Sequence, residues 1–184
     1  MSDKKVRNEV LEWVVTIGAA IIVALLINNF IIVNATVPTS SMEKTIMTND
    51  RVIGLRFAYR DSDPERGDII IFKYPDNEKI LYIKRVIGLP GETVEIHNGE
   101  VTIDGEILSE PYLTTTTEGD FGPYVVPEDH YFMMGDNRNN SADSRYWKNT
   151  YLARDKIVGK AVLRYWPSIK KLNDDTNAKS SNDD

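Results

Sequence analysis

Three stretches of the chain hold residue types that could do chemistry. The first is VPTSSMEKTI, Val37 to Ile46, where Thr39, Ser40 and Ser41 stand together and Lys44 follows shortly after. Hydroxyls grouped in this way commonly serve turns and helix caps, and a hydroxyl becomes a nucleophile only beside a base. The second is EKILYIKRVIGLPGE, Glu78 to Glu92, which sets Lys84 and Arg85 inside an apolar strand pattern. Alternation sends the two cations to opposite faces, Lys84 with Ile80, Tyr82 and Val86, Arg85 with Leu81, Ile83 and Ile87. Arginine keeps its proton in a protein, so of this pair only Lys84 can act as a base. The bland alternative is a lysine whose ammonium snorkels to the strand edge. The third is MGDNRNNSADSRYW, Met134 to Trp147, a polar loop in which Asp136 and Asp143, with Asp155 beyond, lack the spacing of a calcium loop. A serine nucleophile is usually served by histidine. His97 falls in a hairpin turn and His130 follows Pro127-Glu128-Asp129, so both read as surface residues. A buried lysine can replace histidine in this role. Spacing alone leaves Ser40 beside Ser41, and Lys44 beside Lys84, as competing choices.

Composition narrows the class. The chain has 184 residues with 22 basic and 28 acidic side chains, a formal net charge of -6. Nucleic-acid binding would need a basic face, which this balance argues against. There are no cysteines and two histidines, so disulfides, thiol chemistry and imidazole-rich zinc sites are not expected. No cofactor or metal is called for. Nothing in the sequence sets an oligomeric state.

The elements that must position these residues divide the chain in four. Residues 1–12 form a polar N-terminus. Residues 13–33, WVVTIGAAIIVALLINNFIIV, carry no charge and are long enough to span about 30 Å of hydrocarbon. Lys4, Lys5 and Arg7 precede them, so the positive-inside rule places the N-terminus in the cytoplasm and the remainder outside. Val33-Asn34-Ala35 is a poor small-x-small cleavage site, which favours an uncleaved anchor over a removable leader. Residues 34–170 lose helical periodicity. Strands are expected at 31–37, 51–57, 68–74, 80–87, 93–96, 100–103, 131–134 and 156–165, with Asn98-Gly99 as a two-residue hairpin turn. The expected fold is mainly β, a bent antiparallel sheet domain behind one N-terminal transmembrane helix. Residues 171–184 have little to bury and read as a disordered polar tail.

Together these stretches resemble the bacterial type I signal peptidases, in the single-anchor form typical of Gram-positive bacteria. The boxes are PTSSMEKTI, RGDIIIF (Arg66 to Phe72), YIKRVIGLPGE (Tyr82 to Glu92), FGPYVVPEDHYFMMGDNRNNSADSR (Phe121 to Arg145) and IVGKAVLRYWP (Ile157 to Pro167), in family order behind an anchor. The resemblance implies a serine endopeptidase of the membrane surface that removes signal peptides from exported preproteins. Its implied nucleophile is Ser41, the serine before Met42, and its implied base is Lys84. Thr39 would supply an oxyanion-hole hydroxyl beside the Ser41 N–H, Ser141 would orient the lysine, and Asp143 with Arg145 would form a supporting ion pair. Partners would be the lipid bilayer and preproteins with small residues at the first and third positions before the scissile bond. One departure stands out: the family commonly has proline where this chain has Lys44. That leaves a second reading, a catalytically impaired, membrane-bound scaffold relative.

Overall fold

The structure, a computed structural model, describes residues 2–172. An α-helix, α1 (Ser2–Leu26), runs through the apolar segment and ends in a wider π-type turn at Ile27–Ile31. The helix starts well before the expected span, and its last turn contains Asn28 and Asn29. None of the residues of the apolar stretch Arg7–Ile31 is buried inside the protein, which suits a helix surrounded by lipid.

The chain then enters strand without a linker. The strands are β1 (Ile32–Thr36), β2 (Arg51–Leu55), β3 (Ile69–Tyr74), β4 (Asn77–Gly88), β5 (Thr93–His97), β6 (Glu100–Ile103), β7 (Glu106–Ile107), β8 (Phe121–Val125), β9 (His130–Met134), β10 (Leu152–Ala153), β11 (Ile157–Trp166) and β12 (Lys170–Lys171). The larger sheet has the order β1-β2-β11-β3-β4-β9-β10, with β12 added to β11, and the smaller has the order β7-β6-β5-β8. Every pairing is antiparallel. Bulges interrupt the pairing of β11 with β2 and with β3, and that of β4 with β9, which bends the sheet.

Two expected boundaries shift. Ile32 and Val33 belong to β1 rather than to the anchor, because their backbone is taken by β2: Ile32 faces Leu55 and Val33 faces Gly54. The β domain also runs beyond residue 170. Lys170 and Lys171 pair with Arg164 and Leu163, and Leu172 is buried in the core, so these three residues are part of the fold. The rest of the expected tail, residues 173–184, lies outside the described residues. Asn98-Gly99 makes the expected turn, with φ of 52° and 87°.

The core explains why RGDIIIF is so apolar. Ile69, Ile70, Ile71 and Phe72 of β3 are all buried, and they alternate between two clusters. Ile69 and Ile71 join Val33, Val37, Met42, Ile46 and Ile83 on one face. Ile70 and Phe72 join Val86, Tyr131, Met133 and Trp147 on the other. A strand covered on both faces reads as a continuous hydrophobic run. Met42 and Ile46 are fully buried, which seats the loop between β1 and β2 on the first cluster.

Candidate active site

Lys84 sits on β4 opposite Ile70, between Ile83 and Arg85. It is 3% exposed. Alternation along β4 sends Lys84 and Arg85 to opposite faces of the sheet, yet both reach the β1–β2 loop, Lys84 at Ser41 and Arg85 through Asp136 at Thr45. Its Nζ donates to Ser41 Oγ at 2.5 Å and to the Ile83 carbonyl at 3.2 Å, with the Tyr82 ring centre 5.3 Å away. Burial disfavours the ammonium and pushes Lys84 down to about 8, against the opposing pull of Asp143 and Asp136. A lysine so placed has an accessible neutral form, as a general base requires.

Ser41 is held from both ends. Met42 anchors it below through the core. Above, Asn137 N–H donates to the Ser41 carbonyl at 3.0 Å, and Asn137 Nδ2 donates to the Ser40 carbonyl at 3.1 Å. Gly135 lets the two loops close on each other: a Cβ there would lie 2.4 Å from the Ser41 carbonyl oxygen and 2.3 Å from Ser141 Oγ. Thr39 Oγ1 lies 3.3 Å from Ser41 Oγ. Ser40 is turned elsewhere, its hydroxyl accepting from Asn140 Nδ2 at 2.8 Å. Lys44 is exposed at a φ of 83°, the third residue of a turn closed by Thr45 N–H on the Met42 carbonyl at 3.1 Å. Proline is fixed near φ of about −65°, so this turn cannot be the one a proline would make.

Buried ion pairs support the two sides. Asp143 and Arg145, both fully enclosed, pair through Nε–Oδ1 and Nη2–Oδ2 contacts of 2.8 Å each. Asp143 also accepts from Gly135 N–H at 3.0 Å, and Arg145 donates to the Arg138 carbonyl at 2.6 Å. Arg85 pairs with Asp136 at 2.8 and 2.6 Å, and Asp136 accepts from Thr45 Oγ1 at 2.5 Å. This second bridge ties the strand of Lys84 to the loop of Ser41. Ser141 is buried on the same loop, but its Oγ has no hydrogen-bond partner among the described residues, so the expected bond to Lys84 is not made here. The ammonium's donors go to Ser41 and Ile83 instead. Lys44 lies on the loop exterior; His97 pairs with Asp120 at 3.1 Å and His130 bonds the Glu128 carbonyl at 2.8 Å, and none of the three lines the cleft. No cluster of ligands able to hold a metal occurs among the described residues.

Sequence reasoning missed Asp136, Asn137, Asn140 and the role of Arg85. Each is a polar residue in a turn-rich loop or beside a cation, with no local pattern that announces its partner. The signal that existed was the density of buried-type hydrogen-bonding residues in GDNRNNSADSR.

Ser41 and Lys84 line a cleft of about 920 Å³. One wall is residues 34–38 from β1 and its continuation, the other is residues 80–84 of β4, and Asn140 and Ala142 also line it. β1 is the last strand of its sheet, and β9 pairs with β4 only from Arg85 onwards, so both walls present strand edges. Such edges can accept an extended peptide as an added strand.

Residues 10–166 match the family described as signal peptidase, peptidase S26. The chain is 42% identical to a probable signal peptidase I-2 of Synechocystis sp., over 88% of this chain and 75% of that one. It is 40% identical to a signal peptidase I of Leptolyngbya laminosa, over 90% and 84% of the two chains. It is 36% identical to signal peptidase I S of Bacillus subtilis, over 91% and 96%.

Proposed function

The chain belongs to the signal peptidase family, peptidase S26, and from that premise we propose that it is a serine endopeptidase that removes signal peptides from exported preproteins, with Ser41 as nucleophile and Lys84 as general base. The observation that carries the residue assignment is the 2.5 Å contact between Lys84 Nζ and Ser41 Oγ, both enclosed in the protein.

When Lys84 sheds its proton, the bond reverses and the Ser41 hydroxyl donates to Nζ. Ser41 Oγ then attacks the scissile carbonyl carbon while its proton passes to Nζ. The negative charge moves onto the carbonyl oxygen, where the Ser41 N–H and the Thr39 hydroxyl serve as the oxyanion hole. The tetrahedral intermediate collapses, and Lys84 returns the proton to the departing amine, which leaves an ester on Ser41. Neutral Lys84 next takes a proton from water, and the resulting attack releases the acid and restores the serine. Ser141, with an unused hydroxyl on the adjoining loop, orients the neutral amine by accepting one of its N–H groups. Asp143 and Arg145 keep that loop in place.

The substrate lies extended between β1 and β4. Ala35, Val37, Ile83 and Ala142 line the cleft and favour small residues near the scissile bond, at the first and third positions before it. The anchor is residues 13–31 of the helix, the N-terminus faces the cytoplasm, and the β domain works at the outer face of the cell membrane. Lys44 touches neither member of the dyad, which favours an active enzyme over a scaffold. Incubation of the purified protein with a preprotein carrying an Ala-x-Ala site tests the reading: wild type should release the mature chain and Ser41→Ala should not. Processing that survives Ser41→Ala would refute it.

A further inference from the structure

Residues 108–120 join β7 to β8; Leu108 N–H and Thr117 N–H bond the small sheet at the carbonyls of Val101 and Gly99, and Thr116 and Glu118 also bond Asn139 in the loop that follows β9. Two of their side chains reach the buried arginines beside the dyad. The Arg85 guanidinium carbon lies 3.8 Å from the centre of the Tyr112 ring. Glu110 holds Arg138 at two points, through Nη1–Oε2 at 2.8 Å and through Nη2–Oε1. The Tyr112 hydroxyl donates to Glu110 at 2.6 Å, so the two contacts form one unit.

Neither arginine lines the substrate cleft. Both act on it through others. Arg85 follows Lys84 on β4 and holds Asp136, which in turn accepts from Thr45 on the Ser41 loop. Arg138 belongs to the turn whose Asn137 and Asn140 hold Ser41 and Ser40. We infer that Tyr112 is a positioning residue for the dyad: its ring keeps the Arg85 guanidinium on Asp136, and that bridge sets Lys84 against Ser41.

The unit has an electrostatic side as well. Lys84 is faced by Asp143 and Asp136 from the loop after β9, by Tyr82 from its own strand, and by Ser41 from the loop after β1. Both carboxylates favour its charged form. Arg85 neutralises Asp136. Tyr112 is itself surrounded by Arg85, Arg138 and Glu110. Loss of its ring frees the guanidinium to leave Asp136, and the uncovered carboxylate then favours the ammonium of Lys84.

The inference rests on the Ser41–Lys84 assignment. The test is preprotein cleavage by the full-length enzyme in detergent, with kcat and KM measured across pH. For Tyr112→Leu and Tyr112→Met, kcat at pH 7 should fall by roughly tenfold. KM should stay within about twofold, and the acid limb of the kcat profile should move up by about half a pH unit or more. Tyr112→Phe keeps the ring and should keep the wild-type limb. Leu113→Ala loosens the same segment without touching either arginine and should leave the limb in place. Folded Tyr112→Leu or Tyr112→Met enzyme with the wild-type limb and kcat would overturn the inference, as would an equal shift in Leu113→Ala. Cleavage that survives Ser41→Ala would instead bring down the dyad assignment, and this inference with it.

Discussion

Asn140 Nδ2 donates to Ser40 Oγ at 2.8 Å, and this bond separates two adjacent serines that are chemically identical. Ser40 is occupied by an amide, while Ser41 is in contact with Lys84. Ser41→Ala should therefore lower kcat by about ten-thousand-fold or more. Ser40→Ala should retain activity within about tenfold, its loss being one neutral hydrogen bond. Preprotein processing followed on gels reads both variants, and a dead Ser40→Ala beside an active Ser41→Ala would reverse the assignment.

In the proposed mechanism Lys84 works only without its proton, and burial brings it down to about 8. The rate should rise with pH through an acid limb near that value. Lys84→Arg keeps the charge and cannot lose it, so it should be inactive at every pH tested. A pH series of kcat/KM on wild type and Lys84→Arg gives the result directly.

The same burial has a thermodynamic consequence. Unfolded Lys84 has its ordinary value of 10.5, and the folded protein holds it near 8. Between these values the unfolded chain binds the extra proton, so folding becomes more favourable as pH rises through this window. Below it, the full penalty of enclosing a charge is present. Lys84→Met should thus be more stable than wild type at pH 7, by on the order of 2 kcal/mol, and the advantage should shrink between pH 8 and 10.5. Urea melts at three pH values measure it. An advantage that grows with pH would contradict the burial account.

Thr39 Oγ1 stands 3.3 Å from Ser41 Oγ. As the proposed oxyanion donor, Thr39 should be sensitive to truncation: Thr39→Ala should reduce kcat by about a hundredfold, with little change in KM. Thr39→Ser should recover most of the loss. Steady-state kinetics on the two variants distinguishes a donor from a packing residue.

Lys44 occupies a left-handed position at a φ of 83°. A side chain there costs about 1 kcal/mol, so Lys44→Gly should stabilise the protein by roughly 0.5–1 kcal/mol. Lys44→Pro forces a different turn and should destabilise it and slow cleavage. Thermal melts of both substitutions against wild type provide the comparison.

Much of this was legible before any coordinates. The paired cations of β4 were separable because alternation is a strict rule and arginine does not deprotonate. Eight of the twelve strands followed from runs such as IIIF and TVEIH. The other four did not. β7, β10 and β12 have two residues each, and β8 contains Gly122 and Pro123, so none carries a pattern that periodicity can detect. The site divides similarly. Lys84 could be argued from its neighbours, whereas choosing Ser41 over Ser40 needed family likeness. Asn140 and Asp136 are long-range partners, joined to Ser40 and Thr45 across 100 and 91 residues of chain, a distance that local spacing cannot bridge.

The anchor helix gives way to β1 at Ile32 without an intervening loop, and Arg56 fastens the junction with bonds to the carbonyls of Ile31 and Ile32. β1 is also one wall of the cleft. Helix and cleft wall are therefore consecutive stretches of one backbone, so the direction in which the helix leaves its last turn is the direction in which that wall begins.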